Sequence, residues 1–382
     1  MTAITNNVQS GDFPYVELRE GGVELLEKLA PEWRQLCDEG PIDQPFYRPE
    51  WLTAYLKFFE PETGLIIVSA RLQGRLTAVL PFVKEKIFVK GFPVARVLAG
   101  AHSRIPDRFD LARSAGKVGD NSVKAIWNFL GRLEGWDIIQ LPCVPEGGAA
   151  EQLVESARSS GFMTVSEEAL MSPFISLRAC ERTLDPFSLI AAGKRRSELR
   201  RQRKKLEQTA GLRFVRIDRP QLKDIERYYE LELAGWKGRN GTSVASKQHV
   251  RRFYDEITRK AMESSYLVLS FLKQGDQTVS AQLDFRYRNR LFCFECAYSD
   301  AYAPYSPGYL LFSDILRDCA CQGLSEIDFT GKQTSQSSFW TSRAHLYKNH
   351  YIFQKGIYGS LLAKAKFRVK PFIKKILGKI HG

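Results

Sequence analysis

No run in this 382-residue sequence approaches the roughly 18 uninterrupted apolar residues of a membrane-crossing helix. The opening residues, MTAITNNVQSGDF, lack the basic region and apolar core of a secretion signal, so a cytoplasmic location is expected. Histidine is scarce: there are five, with no HExxH and no Cys/His cluster. The ligand spacings zinc prefers are missing, and no metal is expected. Seven cysteines, an odd number in an apparently cytoplasmic chain, argue against a disulfide framework. The one CxxC, Cys293 and Cys296, lies in LFCFECAY, which reads as a strand, where residues three apart point to opposite faces. Cys319 and Cys321 fall about 200° apart on an apparent helix.

What remains is an ordinary soluble composition, 44% hydrophobic and 26% charged, on a length that suits two domains. The formal charge of +13 is unevenly spread. Residues 194–205, KRRSELRRQRKK, carry a net +7, and residues 361–382 hold seven Lys or Arg and no acid, another +7, so the rest is nearly neutral. A neutral body weakens the case for a nucleic-acid-binding face, which the fold itself would make basic. It points instead to two local anion contacts.

The pattern along the chain repeats. GLIIVSARLQGRLTAVLPF (Gly64–Phe82) and YLVLSFLKQGDQTVSAQLDF (Tyr266–Phe285) both read strand, tight turn, strand. Each is followed by a further strand-like run, Val83–Val89 and Arg290–Tyr298, and later by a helix running into a strand, Ser122–Leu141 and Gly308–Phe329. This order predicts a duplicated α/β unit with a meandering sheet and a crossover helix. The expected division is 10–180, 181–360 and a basic tail 361–382. A basic helix is expected from about Pro186 to Gln208, with Leu199 and Leu206 as its thin apolar seam. Further helices are expected over Gln221–Leu233 and Ser246–Glu263, the latter with Val250, Phe253, Tyr254, Ile257 and Ala261 as a core stripe.

Several residues could carry chemistry. In Tyr305-Ser306-Pro307-Gly308-Tyr309, Ser306 suits an N-cap, Pro307 the first helical position, and Gly308 leaves backbone N–H groups open to an anion. An ordinary well-capped helix is the other reading. On the strand Leu291–Tyr298, alternation puts Leu291, Cys293, Glu295 and Ala297 on one face; Glu295 among apolar neighbours would have its pKa raised towards that of a general base. A Glu at a solvated edge, or paired with an Arg, is the alternative. Gln282, Asp284 and Arg286 form a polar row that reads as a solvent face or as the floor of an acceptor site. Trp236, Lys237 and Arg239, within GWKGRNG, could stack on a ring and hold an anionic group from a flexible loop; a structural Trp anchoring that loop is the alternative.

Four segments together resemble a known family: KRRSELRRQRKKLEQTAGLRF (Lys194–Phe214), GWKGRNGT (Gly235–Thr242), AYSDAYAPYSPGYLL (Ala297–Leu311) and the strand ending Asp328-Phe329. The chain resembles the CelD-like branch of the Fem/GNAT acyltransferases over about residues 13–358. The resemblance implies two tandem GNAT-type domains, each a mixed, mainly antiparallel sheet flanked by helices. It implies an acyltransferase moving an acyl group, acetyl in the first instance, from CoA to an amine or hydroxyl of a sugar-containing acceptor in polysaccharide biosynthesis. Acetyl-CoA would be the donor, its pyrophosphate held at Tyr305–Tyr309, with Glu295 as base. Where the family places a Tyr-Lys pair after the DF strand, this chain has Gln336-Ser337, so a tyrosine acid does not carry over there; either another residue serves, such as Tyr298 or Tyr305, or this branch uses a different acceptor. The Fem branch implies the alternative of aminoacyl transfer from tRNA, and the missing pair a third, a non-catalytic glycan-binding or scaffold protein.

In the tail, Phe372, Ile373, Ile376, Leu377 and Ile380 share one helical face, with Lys374, Lys375 and Lys379 mostly off it. Such a short helix must dock on something. An anionic membrane surface and packing on the second domain are the two expectations.

Overall fold

The computed structural model of the chain describes residues 3–6, 13–89, 91–177, 185–189 and 193–369. They form two compact units. The first takes the chain up to residue 170, apart from 43–45, together with the stretch from 346 on; the second takes 43–45 and 171–345.

The first unit opens with β1 (Ala3–Asn6), β2 (Tyr15–Gly21), α1 (Val23–Glu39) and α2 (Pro49–Phe59). The predicted hairpin follows as β3 (Leu65–Leu72) and β4 (Arg75–Val89). Its turn residues Gln73 and Gly74 both have positive φ, 50° and 78°, as a two-residue hairpin requires. Val83–Val89 is not a separate strand. β4 pairs with β3 through Val83 on one edge, then with β5 (Phe92–Gly100) on the other, so no turn interrupts it. The short β6 (Ala112–Arg113), α3 (Gly116–Leu130), β7 (Ile138–Pro145), α4 (Ala149–Ser159) and β8 (Met163–Ser176) complete this part. All these strand pairings are antiparallel except β5 with β7, which α3 connects. Under α3 and α4 lies an apolar core that includes Trp127, Trp136 and Phe162.

The second unit contains α5 (Gly193–Ala210), β9 (Leu212–Ile217), α6 (Leu222–Ala234), the single turn α7 (Trp236–Arg239) and α8 (Gln248–Glu263). Then come β10 (Leu267–Gln274), β11 (Gln277–Tyr287), β12 (Arg290–Tyr298), α9 (Pro307–Cys321), β13 (Glu326–Asp328) and α10 (Ser335–Trp340). Its strands lie in the order β9-β10-β11-β12-β13, antiparallel except β12 with β13, and Phe174–Ser176 of β8 pair with β13. The succession β10-β11-β12-α9-β13 thus repeats β3-β4-β5-α3-β7, parallel pair and crossover helix included. Both units are mixed α/β with mainly antiparallel sheets.

Finally β14 (Ala344–Phe353) and α11 (Ile357–Lys364) return the chain to the first unit, where β14 pairs antiparallel with β7. This backbone pairing is why residues 346–360 belong with the first unit, while the pairing of Phe174–Ser176 with β13 places the end of β8 in the second. The basic helix starts at Gly193, and Pro186–Leu189 form a separate 3₁₀ turn. Leu199 and Leu206 are buried along its seam as expected. The tail helix from Pro371 lies outside the described residues.

Candidate functional site

β12 and β13 run side by side only over Arg290–Phe292. β13 then ends, the chain turns at Thr330 (φ 58°), and the Thr330 hydroxyl donates to the Cys293 carbonyl. Beyond that point β12 continues with its edge towards β13 unpaired by any strand. The gap opens into a cavity of 290 Å³ lined by Gln282, Glu295, Phe312, Phe329, Lys332, Gln336 and Ser337 among others. Its far wall is α10, whose start is fixed reciprocally: Thr334 Oγ1 accepts the Ser337 N–H (3.1 Å) and Ser337 Oγ accepts that of Thr334 (2.9 Å). Gln336 and Ser337 therefore put an amide and a hydroxyl where the family pattern implied a phenol.

Strict alternation fails on β12. Leu283 faces Glu295 while Asp284 faces Cys293, so Phe294 is the extra residue of a bulge. Leu291 and Cys293 pack with α9 in the core cluster, whereas Glu295 turns to meet α7 and α8. It does not sit among apolar neighbours. Its Oε1 accepts the Tyr254 hydroxyl (2.7 Å) and its Oε2 pairs with the Lys237 ammonium. Lys237 Nζ also donates to Glu232 Oε1 (2.8 Å), and Glu232 Oε2 accepts the Val244 N–H (2.8 Å). Burial opposes the charge on Lys237, but Glu295 and Glu232 outweigh it and raise its pKa above the usual lysine value. Burial, then Glu295, pushes the Tyr254 hydroxyl well above its ordinary pKa, which keeps it a donor. Two carboxylates around one ammonium leave the cluster with a net −1, and Glu295 is its member on the cavity.

The GWKGRNG segment is a helical turn, not a flexible loop. A Cβ at Gly238 would lie 1.8 Å from the Leu233 carbonyl oxygen, so close backbone approach requires glycine there, and one at Gly235 would sit tightly, 3.0 Å from that of Tyr298. The turn sends Lys237 inward to Glu295. Trp236 stays 39% exposed, and Arg239 pairs with Asp300. Tyr298 ends β12, half-buried and outside the cavity lining.

The row Gln282, Asp284, Arg286 is not a solvent face, since Gln282 and Asp284 are buried. Gln282 borders the cavity, but its amide donates to Asp284 (2.9 Å), which is fully buried with Oδ2 unbonded. Burial lifts the Asp284 pKa to about 7, well above that of a carboxyl in the unfolded chain. The protonated form is therefore the one that folding favours, and its contribution to stability fades as pH rises from about 4 through about 7. Asp284→Asn is expected to raise Tm at pH 8 and leave it nearly unchanged at pH 4, as measured by calorimetry at the two pH values.

Beyond β12, Asp300–Tyr305 form a 3₁₀ turn, and Ser306 adopts a left-handed conformation (φ 53°, ψ 50°). Its side chain does not cap α9, contrary to expectation; its carbonyl accepts the Tyr309 and Leu310 N–H groups (3.0 and 3.2 Å) instead. Pro307 occupies the first helical position as predicted and has no N–H, which leaves that of Gly308 directed outward. Apart from its chain neighbours and the backbone of its own helix, no atom lies within 4 Å of where a Gly308 Cβ would be. The basic helix packs beside this start. Gln202 Nε2 donates to the Pro304 carbonyl (3.3 Å), Arg203 pairs with Asp314 of α9 (2.9 Å), and Arg195 lies over the Phe339 ring, which contacts Tyr309. Among the described residues, Lys194, Arg195, Arg196 and Lys204 make no ion pair, and Lys205 acts on Glu198 only through space.

Tyr254 and Glu232 were missed as site residues. The signal for Tyr254 was its hydroxyl on an otherwise apolar stripe, which a buried helix face must satisfy. A group not anticipated as metal ligands, Glu326, Asp328 and His345, brings its ligand atoms within 4.8 Å. The Arg290 guanidinium already occupies Glu326 (2.5 Å), and Asp328 accepts the Thr330 N–H (2.7 Å).

Residues 193–339 match the family described as the acetyltransferase (GNAT) domain. No curated protein matches the chain. Among solved structures it is similar to FemX, at 11% identity over 85% of this chain and 96% of that one, with a TM-score of 0.54. It is similar also to L-PGS from Bacillus licheniformis, at 12% identity over 87% and 94%, with a TM-score of 0.50. The parted parallel strands, the helix start that follows them and the family match agree: the second unit carries a GNAT-type acyltransferase domain, on a chain that shares its fold with FemX and L-PGS.

Proposed function

We propose that the second unit transfers an acyl group from a CoA thioester to an amine or hydroxyl acceptor, a sugar-containing one by the resemblance of the sequence. The observation that carries this is the placement of Glu295: a carboxylate held by Lys237 and Tyr254 at a cavity bordered by the free edge of β12. As the acceptor attacks the thioester carbonyl, Glu295 takes its proton. Backbone N–H groups on the unpaired stretch of β12 donate to the developing oxyanion, a contribution typically about 3–4 kcal/mol per donor. Lys332 and Ser337 on the cavity wall are the groups able to return a proton to the departing thiolate. The Gly308 N–H and the unpaired cations of α5 would hold the donor's phosphates, since an open helix start and nearby positive charge both favour an anion.

Aminoacyl-tRNA as donor is the second reading. The unpaired basic residues of α5 favour it, because they run from Lys194 to Lys205, further along the helix than one pyrophosphate extends. Thermal unfolding with acetyl-CoA or with aminoacyl-tRNA separates the two. A ligand at 100 times its Kd stabilises by about 2.7 kcal/mol. Acetyl-CoA is expected to raise Tm; a rise with aminoacyl-tRNA alone overturns the CoA assignment.

A further inference from the structure

The β4–β5 hairpin carries its apolar residues out into water. At its tip Phe88 is 58% exposed, Val89 54% and Phe92 74%. The strands pair to the end, Ile87 with Ala95 and Val89 with Phe92, so these side chains stand on ordered backbone. α11 lies against the same strand. The Tyr358 hydroxyl donates to the Val94 carbonyl, and Leu362, Ala363 and Phe367 pack with Ala95, Val97 and Ala99. The opposite side of α11 presents Ile357 (82% exposed) and Leu361 (55%), Ile357 being the chain neighbour of the Tyr358 that reaches Val94. Tip and helix thus form an apolar surface of the kind that marks an interaction site.

The charges around it have one dominant sign. Lys84 and Lys86 flank the tip, with Glu85 the one acid between Lys84 and Phe92, and Lys84 is paired with Glu20 (2.9 Å). From Ile357 to Val369 the basic residues are Lys364, Lys366 and Arg368, with no acid. A second copy of the patch, or the basic segment 370–382 folded back on it, would bring lysines against lysines. An anionic surface would not. No helix among the described residues is long and apolar enough to cross a membrane, so contact with lipid would be peripheral.

We infer that the β4–β5 tip and the outer face of α11 dock this protein on an anionic lipid surface. The aromatic tip enters the headgroup boundary, to a depth of about 5–10 Å, while the lysines lie against the phosphates. This inference is independent of the acyl donor.

Flotation of the full chain with phosphatidylcholine vesicles, with and without phosphatidylglycerol, tests it. Binding is expected only with phosphatidylglycerol, with release in high salt. Phe88→Ser with Phe92→Ser is expected to raise the lipid needed for half-binding about tenfold and leave Tm unchanged, because both side chains are exposed. Equal binding by this double variant, or no binding by the full chain, overturns the inference. So does tighter binding after truncation past Val369, which assigns the segment 370–382 as the occupant. A dimer in sedimentation that the double variant dissociates assigns a second copy and overturns it too.

Discussion

Glu295→Gln is expected to lower kcat by roughly 10²–10⁴-fold, the usual contribution of a positioned general base, with KM for the acyl donor little changed. The amide keeps the shape of the carboxylate and can still accept from Lys237, while Lys237 retains Glu232 as its counter-ion. The variant should therefore fold. Steady-state kinetics alongside a thermal melt give the answer, and unchanged turnover would remove Glu295 from the mechanism. Lys237→Met is a poorer probe of the same cluster. It would leave Glu232, 2% exposed, beside Glu295 with no cation, and breaking a buried pair in this way costs about 3–5 kcal/mol. Activity lost in that variant would report on folding.

Gly308→Asp is expected to separate donor binding from stability. The space around the Cβ position is open, and an acidic side chain in the first turn of α9 is mildly favourable to the helix. Tm should hold or rise slightly. The same carboxylate would repel the phosphates of an anionic donor by about 1–2 kcal/mol once solvent screening is allowed for, raising KM for the donor roughly 5- to 30-fold with kcat nearly unchanged. Gly308→Ala, which adds bulk without charge, should behave like the parent protein. If Asp and Ala variants have the same KM, no phosphate lies at this helix start.

The duplicated order of elements was readable because hairpins with Gln-Gly turns and long amphipathic helices carry strong local periodicity. Pro307 at the head of α9 was readable for a similar reason: its missing N–H suits one position. The surroundings of Glu295 were not. A bulge at Phe294 adds one residue to a strand, and nothing in the run of side chains marks where alternation breaks. From that one residue follow the misplacement of Glu295 on the apolar face and the failure to see Lys237 as its partner. The return of the chain to the first unit was not legible for a different reason. Local composition marks linkers, whereas the pairing of β14 with β7 joins residues some 200 positions apart, as Tyr351 with Gln140 shows.

That return has a consequence for biosynthesis. In chain order the second unit is enclosed within the first, whose sheet gains β14 only after the second unit has been made. Until then one edge of β7 is bare of its partner, with Ile139 and Leu141 beside it, and unpaired strands invite association with other chains. The enclosed unit is complete by residue 345 and can reach its native state earlier. Late arrival of β14 would leave β7 exposed for as long as the second unit is being made, and a fragment ending at residue 180 would remain in that state permanently.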